Sequence, residues 1–155
     1  LGAGGAGRVA ALKLAKEGVA ELHLVNRTET KAVDLANEIR DRFPSTAVSV
    51  GYPDNASGNV DLVLNATSLG LKEGDPLPID ENQFNLSHAE AVFDMIYQPA
   101  ETPLLAKAKA AGCPTANGLG MLLWQGVKAL EIWTGQAAPV EVMRDALTAH
   151  IYGDG

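Results

Sequence analysis

Three glycines at the start of the chain have the spacing of a phosphate-binding loop. Gly2, Gly4 and Gly7 form the pattern G-x-G-x-x-G, which joins a β-strand to an α-helix in nucleotide-binding folds. The first glycine permits the tight turn, the second lets a pyrophosphate approach bare backbone, and the third lets helix and strand pack closely. N–H groups at the helix start would face the anion. A flexible leader is the alternative for such a stretch, so the residues that follow decide between the two.

A second set of residues indicates which dinucleotide would bind. In such folds an acidic residue roughly 20 positions further on binds the ribose 2′-hydroxyl of NAD. Here that position holds Asn26, followed by Arg27 and Thr28. Asn26 does not repel a 2′-phosphate, Arg27 has paired donors suited to one, and Lys31 lies one helical turn beyond Thr28. The pattern favours NADP over NAD, the alternative being two ordinary surface cations and a helix cap.

Polar residues also stand where later strands end. Thr67 and Ser68 follow the apolar run Val60–Asn65, and Tyr97 ends the run Ala91–Tyr97. Ligands of open parallel sheets bind beyond the carboxyl ends of the strands, so these side chains are candidates for a cofactor crevice. A polar turn and a solvent-facing hydroxyl are the alternatives. Gln125, on an otherwise apolar helix, either has a buried partner or points outward.

Composition narrows the class of protein. The chain has 155 residues, 46% of them hydrophobic and 20% charged, which suits one globular domain. The net charge of −7 argues against a nucleic-acid partner and against docking on an anionic membrane. Cys113 is the only cysteine, so we expect a buried thiol, no internal disulfide and a cytoplasmic location. The three histidines have no metal-ligand spacing with it, and we expect no metal site.

Hydrophobic periodicity and capping residues predict alternating helices and strands. The predicted helices are Arg8–Glu17, Thr28–Phe43, Leu104–Ala111 with Thr102 as cap, Leu119–Thr134 and Pro139–Ile151. The predicted strands are Leu22–Val25, Ala47–Val50, Val60–Asn65, Ala91–Tyr97 and Pro114–Asn117, with loops at Tyr52–Asn59 and Thr67–Phe84. The order predicts an α/β fold, a Rossmann-type doubly wound parallel sheet followed by two C-terminal helices. Its first strand would be truncated, because only Leu1 precedes the glycine loop, and we expect the chain to be a piece of a longer one.

In this order the motifs resemble the C-terminal, cofactor-binding half of shikimate dehydrogenases. The resemblance runs from Gly2 to about Leu147. It rests on five stretches: Gly2–Ala6; Asn26–Thr28 with Lys31; Asn65–Ser68 with Gly70; Asp94–Tyr97 with Pro99, Thr102 and Leu104–Leu105; and Asn117–Leu122 with Gln125.

The resemblance implies reversible hydride transfer between NADPH and C3 of 3-dehydroshikimate, giving shikimate for aromatic amino-acid biosynthesis. Carried over by position, the pyrophosphate would be bound by Gly2, Ala3, Gly4, Gly5 and Ala6. The adenosine 2′-phosphate would be bound by Asn26, Arg27, Thr28 and Lys31. Thr67 and Ser68 would lie against the cofactor, and Met95, Gly118 and Met121 at its nicotinamide end. Tyr97 and Gln125 would reach the substrate.

The resemblance also implies that part of the enzyme lies elsewhere. In this family the acid–base pair, a Lys and an Asp, belongs to an N-terminal substrate domain. We expect residues 1–118 to form the NADP-binding domain, and residues 119–151 to form helices that pack back on the missing domain. The chain alone is then expected to bind NADP weakly and to be inactive, with Lys72 and Asp75 as solvated loop residues. Its uncovered apolar helices would favour association, for which a homodimer is one form.

Three other interpretations remain. A quinate or dual quinate/shikimate dehydrogenase shares the fold and most motifs, although Asn26–Arg27 argues against a strictly NAD-dependent one. Glutamyl-tRNA reductase has a similar glycine loop followed by Asn-Arg-Thr, but it leaves Asp94–Tyr97 and Gly118–Gln125 unexplained, and a tRNA partner conflicts with the negative charge. From a different class, the chain fits a non-catalytic NADP-binding module.

Overall fold

The computed structural model describes residues 1–53 and 59–153, and these form five α-helices and five short β-strands. In chain order the elements are α1 (Gly5–Lys16), β1 (Glu21–Leu24), α2 (Glu29–Arg42), β2 (Ala47–Val50), β3 (Val63–Asn65), β4 (Val92–Asp94), α3 (Pro103–Ala110), β5 (Thr115–Ala116), α4 (Leu119–Thr134) and α5 (Val140–Tyr152). The order is the one predicted from the sequence. Most of the predicted loop Tyr52–Asn59 lies outside the described residues.

All strand pairs are parallel, as predicted. β1 pairs with β2, and β3, β4 and β5 form a second sheet in which Asn65 lies opposite Asp94. The strands β3 and β4 are shorter than their apolar runs. Val60 makes only an isolated bridge with Ala89, and after β4 the N–H of Ile96 turns back to the Asp94 carboxylate. The carboxyl ends of the strands share one edge, where the candidate site lies.

A cleft of about 480 Å³ separates the two sheets, where the fold prediction places a truncated first strand. Side chains of β1, α1 and the chain before β3 line it, among them Leu22, Leu14 and Leu62. At one end Leu1 pairs with the second sheet, because its nitrogen donates to Leu64 O at 2.6 Å and its carbonyl accepts from Ala66 N at 2.8 Å. Gly2 N donates to Val25 O beside β1 at 2.7 Å. Two residues thus bridge both sheets.

Each sheet has its own apolar core. Helices α1 and α2 cover the first sheet through residues such as Ala11, Leu35 and Ile39. Helix α3 covers the second through Leu104, Leu105 and Ala108. Cys113 is buried in the second core, its Sγ 3.2 Å from the carbonyl oxygens of Leu86 and Ala89, which confirms the predicted buried thiol.

The C-terminal helices are only partly covered. Leu123 and Val127 of α4 are buried, whereas Ile132 and Trp133 are 79% and 81% exposed. Of the described residues of α5 none is buried. The apolar surface expected on these helices is therefore confirmed. No helix in residues 1–53 or 59–153 has both the length and the apolar character needed to cross a membrane.

Candidate dinucleotide site

Two glycines of the loop are required by the chain's own backbone. Gly2 has φ +94°, a left-handed conformation, and a Cβ there would lie 3.0 Å from the Thr67 side chain. A Cβ on Gly7 would lie 2.0 Å from the carbonyl oxygen of Gly2. Helix α1 can therefore pack against the turn only with glycine at position 7. These contacts agree with the predicted roles of the first glycine in the tight turn and of the third glycine in close packing of the helix.

The neighbouring glycines have no such reason in the fold itself. A Cβ added to Gly4 or Gly5 would meet no atom of the described residues within 4 Å. Gly4 has φ −78°, which any residue adopts, and both glycines are exposed at the start of α1. Glycine here leaves bare backbone in front of a helix N-terminus, which is the space that a pyrophosphate needs. The loop therefore fits the group that the sequence predicts.

Asn26 joins the glycine loop to the turn after β1. Its Oδ1 accepts a hydrogen bond from Ala3 N at 2.9 Å, and its Nδ2 donates to Thr28 O at 2.8 Å. Both polar groups of the side chain thus bind protein backbone. These contacts hold Ala3 and Thr28 in place, and the assignment of Asn26 to the 2′-phosphate stays a prediction.

The cations next to Asn26 are open to solvent. Arg27 and Lys31 are exposed, and within the described residues neither makes an ion pair, whereas Arg8, for example, pairs with Glu38. Thr28 precedes α2 as predicted, but its hydroxyl accepts no capping hydrogen bond from the described residues. Two cations and a hydroxyl therefore stand together at the start of α2, in a chain of net charge −7. That arrangement suits a phosphate.

A network of buried polar side chains connects the ends of β3 and β4. Asn65 and Asp94 are fully buried, and Thr102 is 1% exposed. The Asp94 carboxylate accepts from Asn65 Nδ2 at 3.0 Å, from Thr102 Oγ1 at 2.7 Å and from Ile96 N at 3.0 Å. Asn65 Oδ1 in turn accepts from Thr67 N at 3.0 Å and from Thr67 Oγ1 at 2.8 Å. Every buried side-chain polar atom among the described residues has a partner.

This network fixes the position of residues that face the site. Thr67 is held on one side, and the turn after β4 that leads to Tyr97 on the other. Thr102 also caps α3, since its Oγ1 accepts from Leu105 N at 3.3 Å. Sequence analysis identified the Thr102 cap and the Asp94 motif but not the network. A polar residue at the end of an otherwise apolar strand was the available signal, because a buried carboxylate needs donors.

A second cleft, of about 300 Å³, brings together several predicted site residues. It is lined by Ala6 of the glycine loop, by Thr67, and by Met95, Tyr97 and their neighbours in the turn after β4. These residues come from three separate stretches of the sequence. A cleft therefore lies beyond the strand ends, and its lining residues come from the loop and the turn between which a dinucleotide would have to bridge. Its use by a cofactor stays a prediction.

The remaining predicted residues lie beside or outside this cleft. The backbone of Gly118 is packed on Met95, where a Cβ would lie 1.9 Å from the Met95 carbonyl oxygen. Met121 is half-buried in the first turns of α4, and Ser68 and Gln125 are exposed. Neither Ser68, Met121 nor Gln125 is among the described residues that line the cleft. Their assignment to cofactor and substrate stays a prediction.

Asp75 is more than a solvated loop residue. Its Oδ2 accepts from Lys72 N at 3.0 Å and from Gly70 N at 3.1 Å. These two N–H groups hold the pKa of the Asp75 carboxyl below its ordinary value. The carboxylate thereby closes the turn after Ser68, whereas Lys72 is exposed as expected.

Two family profiles match the ends of the chain. The profile of Shikimate / quinate 5-dehydrogenase matches residues 1–71, which contain the glycine loop and the polar residues after β3. The profile of the Shikimate 5'-dehydrogenase C-terminal domain matches residues 118–148. The chain belongs to the shikimate/quinate dehydrogenase family. The predicted family and the predicted Rossmann-type fold are confirmed, although the stretch Asp94–Leu105 lies outside both profile matches.

Proteins similar to this chain have different activities. A shikimate dehydrogenase (NADP(+)) of Natronomonas pharaonis is 46% identical over 153 residues, which are 97% of this chain and 54% of that protein. The crystal structure of 5-ketofructose reductase of Gluconobacter sp. strain CHM43 has TM-score 0.78 at 35% identity, covering 96% of this chain and 54% of that one. Quinate dehydrogenase from Corynebacterium glutamicum in complex with NAD has TM-score 0.80 at 31% identity, covering 96% and 53%. The chain thus spans about half the length of the relatives it matches.

Proposed function

We propose that this chain is the NADP-binding part of a shikimate dehydrogenase, an oxidoreductase that reversibly reduces 3-dehydroshikimate to shikimate in aromatic amino-acid biosynthesis. NADPH would supply the hydride. Residues 1–118 form the nucleotide-binding domain in this proposal. Gly2–Ala6 bind the pyrophosphate, with the cations Arg27 and Lys31 on the 2′-phosphate.

The observation that carries the proposal is the cleft between the glycine loop and the turn after β4. Ala6 marks the end where bare backbone begins α1, and Tyr97 marks the end where a substrate would meet the nicotinamide. The open cations after β1 distinguish NADP from NAD. Thr67, which is held in place by Asn65, lines the same cleft as Ala6 and Tyr97.

The proposal assigns the acid–base pair, a Lys and an Asp, to a substrate domain outside these 155 residues. Two surfaces of the chain support such a partner. The cleft between the sheets has a volume of about 480 Å³ and is lined largely by apolar residues, which suits an extended strand that would join the sheets. The exposed Ile132 and Trp133 suit packing of residues 119–151 on another domain. The chain alone is then inactive, and its exposed apolar surface favours association, a homodimer included.

Turnover by the full-length protein tests the proposal. We expect NADP⁺ reduction with shikimate, far above the rates with quinate as donor and with NAD⁺ as acceptor, while the 155-residue chain alone shows none. Preference for quinate with NAD⁺ would keep the family but contradict the assignment of Arg27. NADP⁺ binding without turnover of any pair would favour the non-catalytic module, and shikimate oxidation by the isolated chain would refute the missing acid–base pair.

Binding to the glycine loop is tested separately from catalysis. Gly5→Ala should leave the fold intact, because a Cβ there has open space among the described residues, yet it should weaken NADP⁺ binding in a calorimetric titration. Gly126→Ala is the matched control, since its Cβ would touch only Met143 Cε of the described residues, at 3.4 Å. Equal NADP⁺ affinity in both variants would contradict the proposal that the glycine loop binds the pyrophosphate.

Two further parts of the proposal concern the setting. A cytoplasmic location is supported by the single buried thiol, which needs no oxidising compartment.

Sedimentation of the isolated chain and of the full-length protein would show whether association depends on the uncovered α4 surface. A monomeric isolated chain at micromolar concentration would contradict that dependence.

A further inference from the structure

The turn Met95–Ala100, which carries Tyr97, is held on two sides, and on one of them by a residue outside the five stretches that resemble the family. On its inner side Gly118 N donates to Ile96 O at 3.1 Å. On its outer side the hydroxyl of Tyr152, the last residue of α5, donates to the carbonyl oxygen of Tyr97 at 2.6 Å. The backbone of the residue predicted to meet the substrate is thus fixed by the far end of the chain.

Asn117 completes this contact. Its Nδ2 donates to the Tyr152 hydroxyl at 3.0 Å and to Ala100 O at 2.8 Å, and its Oδ1 accepts from Leu119 N at 3.1 Å. The amide therefore links the start of α4, the end of the turn and the phenol. We call this set of contacts between Tyr152, Asn117 and the turn the Tyr152 latch.

The latch is one of few attachments of α5 to the rest of the protein. No described residue of α5 is buried, and Tyr152 itself is 38% exposed. Apart from its packing on α4, as where Met143 lies against Gly126, the hydroxyl of Tyr152 gives α5 a polar anchor on the turn. Because the Tyr152 hydroxyl is not part of the apolar core, we expect its hydrogen bond to Tyr97 O to order the turn at the candidate site more than to stabilise the fold.

We propose that Tyr152 is a positioning residue for the substrate end of the site, acting through the backbone of Tyr97. The inference rests on the proposed function for its kinetic consequence. The latch touches neither the glycine loop nor Thr67, and its hydroxyl acts on the backbone of Tyr97, two residues beyond Met95. Loosening it should therefore affect substrate binding more than cofactor binding. Loss of one or two partly exposed hydrogen bonds corresponds to roughly three- to tenfold in affinity.

Steady-state kinetics of the full-length protein test the latch. Tyr152→Phe keeps the ring and removes the hydroxyl, and we expect the KM for shikimate to rise roughly three- to tenfold, while the KM for NADP⁺ rises less. Tyr52→Phe is the matched control, because its hydroxyl accepts a single 2.7 Å hydrogen bond from Asp80 N away from the turn. Asn117→Asp, which keeps the acceptor for Leu119 N and loses the donor, should shift the shikimate KM in the same direction as Tyr152→Phe.

Hydrogen exchange tests whether Tyr152 orders the turn, and it does not require an active enzyme. Amides of residues 95–100 should exchange faster in Tyr152→Phe than in the parent or in Tyr52→Phe. Unchanged exchange would overturn the latch, and faster exchange with unchanged KM in an active enzyme would overturn its positioning role. If the parent turns over no substrate, the proposed function fails while exchange still decides whether Tyr152 orders the turn.

Discussion

The two ends of the candidate site are built differently. After β1, Arg27 and Lys31 stand in solvent, and the turn is organised by one half-buried amide, that of Asn26. After β4, the turn toward Tyr97 is tied to a carboxylate with no exposed surface, that of Asp94. A phosphate is a large, mobile charge that exposed cations can reach, whereas a reacting carbon must be held to within a fraction of an ångström. Under the proposed function, the exposed cations would supply charge for the phosphate, and the buried carboxylate would supply rigidity for the substrate.

The largest expected effect is at the buried end. Asp94→Ala would leave Asn65 Nδ2, the Thr102 hydroxyl and Ile96 N without their acceptor. We expect a loss of about 3 kcal/mol or more in the free energy of unfolding, measured by urea denaturation of the full-length protein. Asp34→Ala, at an exposed position of α2, is the control, and equal losses in the two variants would remove the contrast between the ends.

A smaller loss is expected from Thr102→Val. The variant keeps the shape of the side chain, but it deprives Asp94 of one donor and Leu105 N of its cap. About 1–2 kcal/mol of unfolding free energy should be lost. Thr148→Val, which loses a solvent-exposed hydroxyl on α5, should change stability by less than about 0.5 kcal/mol. A Thr102 effect no larger than that would show that the network is not held cooperatively.

At the exposed end, after β1, we expect a large effect on cofactor affinity and a small one on stability. Arg27→Ala should change the unfolding free energy by less than about 0.5 kcal/mol, because the side chain is exposed and makes no ion pair with the described residues. The affinity for NADP⁺ should fall by about tenfold or more, with that for NAD⁺ unchanged. Isothermal titration of both dinucleotides measures this, with Lys16→Ala as an exposed control cation on α1. A parallel loss for NAD⁺ would show that Arg27 does not recognise the 2′-phosphate.

The smallest effect concerns acid pH. The pKa of Asp75 is lowered in the folded protein by hydrogen bonds from Lys72 N and Gly70 N. The ionised carboxylate therefore stabilises the turn at pH values above the ordinary pKa of an Asp, and this stabilisation is lost as pH falls through the folded-state pKa. We expect the amide resonances of Gly70 and Lys72 to shift in that acid range. Asp75→Asn should abolish the shift, and a persisting titration would assign it to another group.

The order of helices and strands was predictable because each element depends on local patterns. Thr102 with Pro103 marked the start of α3 by its cap and by the fixed φ of proline, and Leu119–Thr134 is the helix that its apolar residues predicted. Strand ends were less well predicted. The apolar run to Tyr97 reads as one strand, yet the Asp94 carboxylate captures Ile96 N and ends β4.

The candidate site divides in the same way. The glycine spacing, the cations after β1 and the polar residues after β3 were identified from the sequence, because residue type and position at a strand end carry the chemistry. Partners distant along the chain were not. Asn65 and Asp94 are 29 residues apart and Tyr97 and Tyr152 are 55 apart, and no local pattern relates them.

The α/β order, the parallel strands and the family could all be predicted from the sequence, since they follow from periodicity, caps and motifs that short stretches contain. The motif predicted close packing at Gly7, but the fold alone showed that the atom it packs against is the carbonyl oxygen of Gly2, and that Gly4 and Gly5 face open space among the described residues. The tertiary structure also decided that Asn26 binds backbone and that Tyr152 reaches the turn. The physical reason is that burial and hydrogen-bond partnership depend on which distant atoms the packed chain brings within about 3 Å.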